Sequence, residues 1–208
     1  MKSKSNYHHG DLRATLLQLA VAQIARAGVE KLSLRALARQ AGVSATAPFR
    51  HFSDKQALLG ALAVDGFNEL AKRIDEEARA SSSREARFVG IGVSYIAFAQ
   101  DFPVHYQLMF GSVLGDFAQQ PELQEAAARS YGILDELLSE IRQREGLAMP
   151  VAALGGLVWS TVHGMASLLI NVPPAQARSD VAPRQAVRTL AEDPRGALKT
   201  LYLGIVAD

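Results

Sequence analysis

The feature that most constrains the fold of this chain is a pair of short helical patterns around a glycine, in residues 33–55. Ser33 is placed to cap the first helix, and the apolar residues after it recur at i, i+3, i+4 and i+7. These residues are Leu34, Leu37, Ala38 and Ala41. Gly42 can adopt the left-handed conformation that ends a helix, and Ser44 is placed to cap a second helix over residues 45–52. Such a pair is typical of helix-turn-helix motifs, although helical corners in bundles share the spacing.

Helical patterns on either side of this pair predict a three-helix head and a long connecting helix. Residues 11–27 carry apolar positions at helical spacing and are followed by Gly28, so we expect a first helix that packs across the motif. Ser53 and Gln56 have the spacing of a capping box, which predicts that a further helix begins here and runs to about residue 80. Its apolar stripe is Leu59, Ala63, Phe67, Leu70 and Ile74.

The residues of the motif resemble the helix-turn-helix of the TetR family of bacterial repressors. The resemblance rests on LSLRALARQAGVS, on an aromatic and a variable residue followed by His51 and Phe52, and on DKQALL. It implies an all-α fold with two parts. Residues 1–55 would form a helix-turn-helix DNA-binding domain, with an N-terminal arm over residues 1–10. Residues 56–208 would form a helical domain for ligand binding and dimerisation.

The same resemblance implies roles for individual side chains of the motif. Arg35, Ala45 and Thr46 are expected to face base edges of double-stranded DNA, whereas other members of the set approach its phosphates. Phe49 departs from the family pattern, because the family usually has a tyrosine there whose hydroxyl can bond a phosphate. The complete set of expected DNA contacts is Arg35, Ser44, Ala45, Thr46, Phe49, Arg50, His51 and Lys55, of which Arg50, His51 and Lys55 are the phosphate contacts.

The distribution of charge favours a chain that meets phosphates with one end only. Residues 1–55 hold nine Lys or Arg and three Asp or Glu, a net charge of +6, whereas the remainder carries −5. A solvated basic face would show the same distribution. The absence of cysteine excludes disulfides, thiolate zinc sites and cysteine nucleophiles. The N-terminus has no apolar segment typical of a secretory signal, so we expect a cytoplasmic protein. His8 and His9 have no further ligand at metal spacing nearby, so we expect no metal, and we expect no other cofactor.

Residues 56–208 predict further helices and no strand. We expect helices over residues 84–100, 103–110, 121–145, 150–172 and from residue 193 onward, with a serine loop at 81–83 and a polar loop after residue 174. The segment 150–172 carries no Asp, Glu, Lys or Arg, and its length suits a membrane span. Its many small and polar residues favour a fully buried helix instead.

A stripe of small residues and a tryptophan–histidine pair mark this uncharged helix. Gly156, Ser160 and Gly164 recur every four residues, and Trp159 and His163 lie beside them. The residues WSTVHG resemble the WHG signature of one class of TetR regulatory domain. His163 is either a buried neutral imidazole within the core or a polar contact inside an apolar ligand pocket.

Several aromatic and methionine side chains occur together near residues 95–110 and predict a ligand pocket, although each one alone suits a core position. With the WHG pair, the expected ligand-binding set is Tyr95, Phe98, Tyr106, Met109, Phe110, Trp159 and His163.

We therefore predict an all-α transcriptional regulator, a repressor that binds a palindromic operator as a homodimer and is released by a small apolar or amphipathic effector. The last two helices of each chain are expected to form a four-helix bundle in the dimer. One alternative is a DNA-binding regulator that takes no ligand. The other is a small helical enzyme, which has little support because the chain contains no G-x-S-x-G elbow, H-E-x-x-H helix or phosphate-binding loop.

Overall fold

A computed structural model describes residues 12–115, 120–171 and 182–207. This part of the chain contains nine α-helices and no strand, which confirms the predicted all-α fold. The helices are α1 (Leu12–Ala27), α2 (Leu34–Gln40), α3 (Lys55–Ala80), α4 (Arg84–Asp101), α5 (Pro103–Phe110), α6 (Pro121–Glu145), α7 (Val151–Asn171), α8 (Ala182–Glu192) and α9 (Pro194–Val206). The predicted N-terminal arm, residues 1–10, lies outside the described residues.

The head consists of α1, α2 and the start of α3 around a small apolar core. Leu16, Leu37 and Leu58, one from each helix, are completely buried. Gly42 ends α2 in the left-handed conformation, with φ of +69°, and the amide of Val43 donates to the carbonyl of Ala38 at 3.0 Å. This is the hydrogen-bond pattern of a helix that stops at a glycine, so the predicted turn is confirmed.

The predicted second helix of the motif, residues 45–52, is wrong in type, because the structure has turns and then a short 3-10 helix, Ala47–Arg50. Pro48 has no backbone N–H and lies near the beginning of this segment. The remaining bonds are mostly of the i to i+3 type: the amide of Phe49 donates to Thr46 at 3.2 Å, and that of His51 to Pro48 at 3.0 Å. The Ser44 side chain does not cap the segment and lies 3.3 Å from the Thr46 hydroxyl.

The long helix α3 begins one residue later than the expected capping box implies. Asp54, not Ser53, is the capping residue, and its carboxylate accepts a hydrogen bond from the amide of Ala57 at 2.8 Å. An aspartate is preferred there because its charge interacts favourably with the helix N-terminus, and this hydrogen bond lowers the pKa of Asp54. The predicted apolar stripe of α3 is buried along its length.

The rest of the chain packs its helices around α3 and α4. α6 lies along α3, α7 packs on α4 and α6, and α9 packs on α4. Gly92 allows the close approach of α9, since a Cβ there would collide with the side chain of Leu198. α8 replaces part of the predicted polar loop; its two half-buried apolar residues, Val187 and Leu190, share one side of an otherwise polar helix.

The predicted full burial of the uncharged helix is wrong for the single chain. One side of α7 packs on α4 and α6, whereas Leu157 and Leu168 on α7 are 47% and 52% exposed. A single protomer covers only one side of this helix, so the opposite side remains apolar and exposed. By length and composition, α7 is the one helix of the described residues that could cross a membrane, yet a third of it is buried against the protein.

Candidate nucleic-acid interface and internal cavity

The helix-turn-helix presents an exposed polar and basic surface. Seven of the eight side chains expected to contact DNA are exposed, among them Phe49, which is 46% exposed. The eighth, Lys55, is half-buried. The other six exposed residues are Arg35, Ser44, Ala45, Thr46, Arg50 and His51. Lys55 reaches back across the head, where its ammonium group donates to the carbonyl of Glu30 at 3.4 Å.

The segment that carries these residues is held in place by two buried side chains. Pro48 is completely buried and Phe52 is 3% exposed, so they anchor the 3-10 helix from below. The guanidinium of Arg13 on α1 lies 5.6 Å from the centre of the Phe52 ring, a cation–π contact that ties α1 to the segment. The exposed residues between these anchors are therefore presented on a fixed backbone.

The basic side chains that the structure describes in the head form no close ion pairs, although Arg13 interacts electrostatically with Asp65 of α3. Within the described residues, no Lys or Arg from residue 12 to residue 55 forms an ion pair, whereas the ion pairs of the rest of the chain engage Arg73, Arg79, Arg84, Arg87 and Lys199. Uncompensated positive charge on one end of the molecule is what a phosphate-binding surface requires.

A cavity of about 330 Å³ lies within the helical body, lined by α3, α4, α5, α6 and α7 and open to the surface beside Tyr131 and Trp159. Its walls are almost wholly apolar: Phe67, Leu70, Ile74, Ile91, Tyr95, Met109, Phe110, Ala127, Ser130, Tyr131, Leu134 and Trp159. The hydroxyl of Ser130 already donates to the carbonyl of Ala127 at 2.9 Å. The cavity therefore suits an apolar group that is selected by shape rather than by hydrogen bonds.

The structure brings four of the seven predicted ligand-binding residues to this cavity: Tyr95, Met109, Phe110 and Trp159. Phe98 does not reach it, because its ring is completely buried on another side of α4 and stacks on Phe102 at 5.4 Å. Tyr106 and His163 lie behind the wall and bond to one another. Direct contact between a ligand and any of the seven residues stays a prediction.

Tyr95, Tyr106 and His163 form a hydrogen-bonded cluster that joins α4, α5 and α7. Both tyrosine hydroxyls approach Nδ1 of His163, at 3.0 Å from Tyr95 and 2.8 Å from Tyr106, and Tyr106 also lies 3.2 Å from the His163 carbonyl. Burial lowers the pKa of His163 and raises the pKa of Tyr106 to about 12. Burial also raises the pKa of Tyr95 well above its usual value. The three groups are therefore neutral at pH 7.

Phe110, at the end of α5, is the aromatic side chain that connects this cluster to the cavity. Its ring centre lies 4.9 Å from His163, 5.0 Å from Tyr106, 5.6 Å from Phe67 and 6.2 Å from Trp159, with several edge-to-face arrangements. A ligand in the cavity cannot change the position of the Phe110 ring without affecting its neighbours on α3, α5 and α7.

Two wall residues show features that the sequence does not reveal. Tyr131 crosses from α6 to α7, and its hydroxyl packs so closely on Gly155 that a Cβ there would collide with it. Tyr131 and Trp159, which are 37% and 38% exposed, line the cavity and also reach the protein surface. The sequence predicts the apolar stripe of α3 that contains Phe67, Leu70 and Ile74, but it carries no signal that this stripe borders a void.

The short helix α5 also borders a second cavity, between the head and the body. This groove of about 630 Å³ is lined by Leu17 and Val21 of α1 and by Val104 and His105 of α5. His105 Nδ1 is buried and has no hydrogen-bond partner among the described residues, and burial lowers the pKa of this imidazole. One end of α5 therefore contacts the internal cavity, and the other end contacts the first helix of the head.

Comparison with protein families identifies two regions of the chain. The family model described as "Bacterial regulatory proteins, tetR family" matches residues 16–62. The model described as "Tetracyclin repressor-like, C-terminal domain" matches residues 88–192. Together the two matches cover the head and most of the helical body.

Relatives with similar sequences include HTH-type transcriptional regulators of Mycobacterium bovis and Mycobacterium tuberculosis. Each is 27% identical over 113 residues, which are 53% of this chain and 48% of the relative. The match thus spans about half the length of these curated relatives.

Similar solved structures extend over nearly the whole chain. A protein of unknown function from Rhodococcus sp. RHA1 is 34% identical, with a TM-score of 0.73 over 92% of this chain and 97% of that one. The transcriptional regulator FadR from Bacillus subtilis, solved with stearoyl-CoA, is 17% identical, with a TM-score of 0.66 over 85% of this chain and 96% of that one. At that identity the second likeness shows a shared fold.

Proposed function

Since this chain belongs to the TetR family of bacterial regulators, we propose that it binds operator DNA through its head and regulates transcription in response to a small apolar ligand. The observation that carries this proposal is the position of α5. This helix presents Phe110 to the internal cavity and Val104 to α1 of the head, so one short element contacts both functional regions.

DNA binding uses the exposed residues 44–46 together with the exposed residues between the two anchors, Pro48 and Phe52. Ala45 and Thr46 are small enough to lie against base edges in the major groove, while Arg50 and His51 approach the flanking phosphates. The ion-pair-free basic residues of the head supply the sequence-independent part of the affinity, which depends strongly on salt. The protein acts in the cytoplasm, where the operator is accessible.

Two copies of the chain form the functional unit. The exposed apolar side chains of α7 and α9, Leu157, Leu168 and Leu203, are 47% to 52% exposed in the protomer. Pairing of these two helices with those of a second copy covers them in a four-helix bundle. A two-fold dimer then reads a palindrome whose half-sites lie about 34 Å, or a multiple of this, apart.

The ligand is an apolar or amphipathic molecule with its apolar part inside the cavity. The walls offer aromatic and aliphatic surface and few polar groups: the Ser130 hydroxyl is already paired, and the Tyr131 hydroxyl packs on Gly155. The fold shared with Bacillus subtilis FadR, which was solved with stearoyl-CoA, supports a long-chain acyl group as one class of apolar occupant.

Ligand binding releases DNA by changing the spacing of the two heads. A ligand that fills the cavity displaces Phe110, α5 moves with it, and the contact between α5 and α1 transmits the displacement to the head. The protein is then a repressor whose operator is freed by the ligand. The change in DNA affinity is limited by the difference in ligand affinity between the DNA-bound and free geometries.

The experiment is a melting-temperature screen of the protein against apolar metabolites, followed by DNA binding with the molecule that stabilises it most. We expect this ligand to raise the Kd for the operator at least tenfold, and Trp159→Ala to weaken this response while leaving ligand-free DNA binding within about twofold. A ligand that raises the melting temperature and leaves the operator Kd unchanged would overturn the proposed coupling. Equal loss of the ligand response and of ligand-free DNA binding in Trp159→Ala would show that Trp159 serves only the core.

A further inference from the structure

A polar cavity adjoins the apolar one. It has a volume of about 620 Å³ and lies where the last turn of α3 and the first turn of α4 pass over α6. Its charged residues are Arg79, Arg84, Arg87, Asp75, Glu136 and Glu140. We refer to this cavity as the polar basin.

The polar basin and the apolar cavity follow one another along the same three helices. Ile91 of α4 lines both of them. On α3, Ile74 of the apolar cavity is one turn from Ala78 of the basin, and on α6 Leu134 is one turn from Leu137. The two cavities are therefore neighbours along these helices, with Ile91 between them.

Arg84 is the basin residue whose interactions are incomplete. Its guanidinium reaches Glu140 and Glu145 only at 3.6 Å and 3.5 Å, and its buried Nε has no hydrogen-bond partner among the described residues. By contrast, Arg73 on α3 makes ion pairs at 2.8 Å and 2.7 Å. A guanidinium binds carboxylates and phosphates best through two short parallel hydrogen bonds, which Arg84 lacks.

The remaining charged residues of the basin carry a net charge of −1. Asp75 pairs with Arg79 at 2.9 Å, and Glu140 pairs closely with Arg87, while Glu136 adds one further negative charge. The incompletely paired cation of the basin is therefore Arg84 in the first turn of α4, and an anion can bind there only in competition with the neighbouring carboxylates. There the helix N-terminus adds a favourable interaction with negative charge.

We propose that the ligand of this regulator is an amphiphile whose apolar part fills the cavity and whose anionic head group, a carboxylate or a phosphate, binds Arg84 in the polar basin. The head group takes the position for which Glu140 now competes. This proposal rests on the proposed function, because it names the chemistry of the same ligand site.

The test compares three probes of one chain length: dodecanoate, dodecyl phosphate and 1-dodecanol. Trp159 is the single tryptophan of the chain and lines the apolar cavity, so its fluorescence reports the filling of the cavity directly. We expect at least one of the two anions to bind about tenfold more tightly than the alcohol, as a charge-assisted hydrogen bond provides. The comparison between carboxylate and phosphate identifies the head group.

Variants of Arg84 and Glu140 should move this preference in opposite directions. Arg84→Gln should reduce the anion-to-alcohol ratio to about one while the alcohol affinity stays within twofold. Glu140→Gln removes the competing carboxylate and should tighten anion binding about threefold or more, a gain that misfolding cannot produce. Arg144→Gln, an exposed residue near the end of α6 and outside the basin, is the matched control and should change neither affinity.

The outcomes separate this proposal from the function on which it rests. Equal affinity for all three probes, or a preference that persists in Arg84→Gln and does not rise in Glu140→Gln, overturns the head-group site and leaves the apolar ligand cavity in place. Failure of all three probes to change the Trp159 fluorescence would overturn the cavity as a lipid-like ligand site, and the head-group proposal with it.

Discussion

The hydroxyl of Tyr95 lies 3.0 Å from Nδ1 of His163, a contact that joins the wall of the internal cavity on α4 to the exposed helix α7. The hydroxyl of Tyr106 approaches the same nitrogen at 2.8 Å. Nδ1 makes one strong hydrogen bond at a time, as acceptor or as donor according to the tautomer. Tyr106 has a second acceptor in the His163 carbonyl, so the cluster can exchange partners without leaving a buried hydroxyl unpaired.

Removal of the imidazole should destabilise the fold more than removal of either hydroxyl. His163→Leu removes the ring nitrogen that the buried hydroxyls of both Tyr95 and Tyr106 approach, which we expect to cost about 2 kcal/mol in the free energy of unfolding. Tyr95→Phe should cost about 1 kcal/mol, because Tyr106 remains to bond Nδ1. Urea denaturation measures both. Tyr131→Phe is the control, since the Tyr131 hydroxyl forms no hydrogen bond among the described residues. Stability equal to wild type in His163→Leu would show that the cluster does not stabilise the fold.

The stability of the protein should fall on mild acidification. Burial lowers the pKa of His163 and of His105 below the usual 6.5, so the unfolded chain binds more protons than the folded one as the pH drops below that value. The stabilisation is therefore complete above pH 6.5 and is lost as the pH falls toward the folded-state pKa values. Denaturation of wild type, His163→Gln and His105→Gln at pH 7.5 and 5.5 measures this loss. The stability of each variant should depend less on pH than that of wild type. An unchanged pH dependence in both variants would show that neither histidine causes the loss of stability.

A charge on the exposed face of α7 should separate the dimer. Leu168 is 52% exposed in the protomer, and the proposed pairing of two copies would bury it. Leu168→Glu places an unpaired carboxylate in that interface, so we expect the dimer Kd to rise about 100-fold or more. Analytical ultracentrifugation gives the dimer fraction. Ser139→Glu, an exposed position on α6, serves as the control, and an unchanged dimer in Leu168→Glu would show that α7 is not the interface.

A hydroxyl at residue 49 should strengthen DNA binding. Phe49 is 46% exposed, so a tyrosine hydroxyl fits there without displacing neighbouring atoms and can bond a phosphate. We expect Phe49→Tyr to lower the Kd for operator DNA about fivefold, which corresponds to one hydrogen bond of about 1 kcal/mol. Fluorescence anisotropy with a labelled duplex measures this change. Phe49→Leu tests for nonspecific effects of the substitution, and equal affinity of the tyrosine variant and wild type would remove residue 49 from the interface.

The parts of the fold that follow from local chemistry could be predicted from the sequence. The apolar spacing and Gly42 define α2 and the turn, and the burial of Phe67 and Ile74 follows from the stripe of α3. The helix predicted after Ser44 is a short 3-10 helix in the structure. The capping residue and spacing of this segment suit a helix, whereas the missing backbone N–H of Pro48 limits its hydrogen bonds. α8 was missed because its two half-buried apolar residues are too few to distinguish a helix from a polar loop.

The ligand cavity depends on relationships that periodicity does not contain. An apolar stripe shows that a side chain such as Leu70 or Leu134 faces inward, but it cannot show whether a neighbour or a void lies opposite. The pairing of His163 with Tyr95 and Tyr106 joins residues 68 and 57 positions apart. Only the packing of three helices brings them together. The exposure of Leu157 and Leu168 on α7 likewise follows from the packing of the other helices, because the uncharged sequence of α7 alone favours burial on all sides.

Selection of bound sites from a random duplex pool, followed by titration of the selected duplex across a salt series, shows whether the head reads a specific duplex as part of a dimer. We expect a palindrome with half-sites separated by about one helical turn or a multiple of it, and an affinity that falls steeply with salt. Weak binding to all duplexes alike, with no enriched sequence either with or without a stabilising ligand, would contradict this expectation.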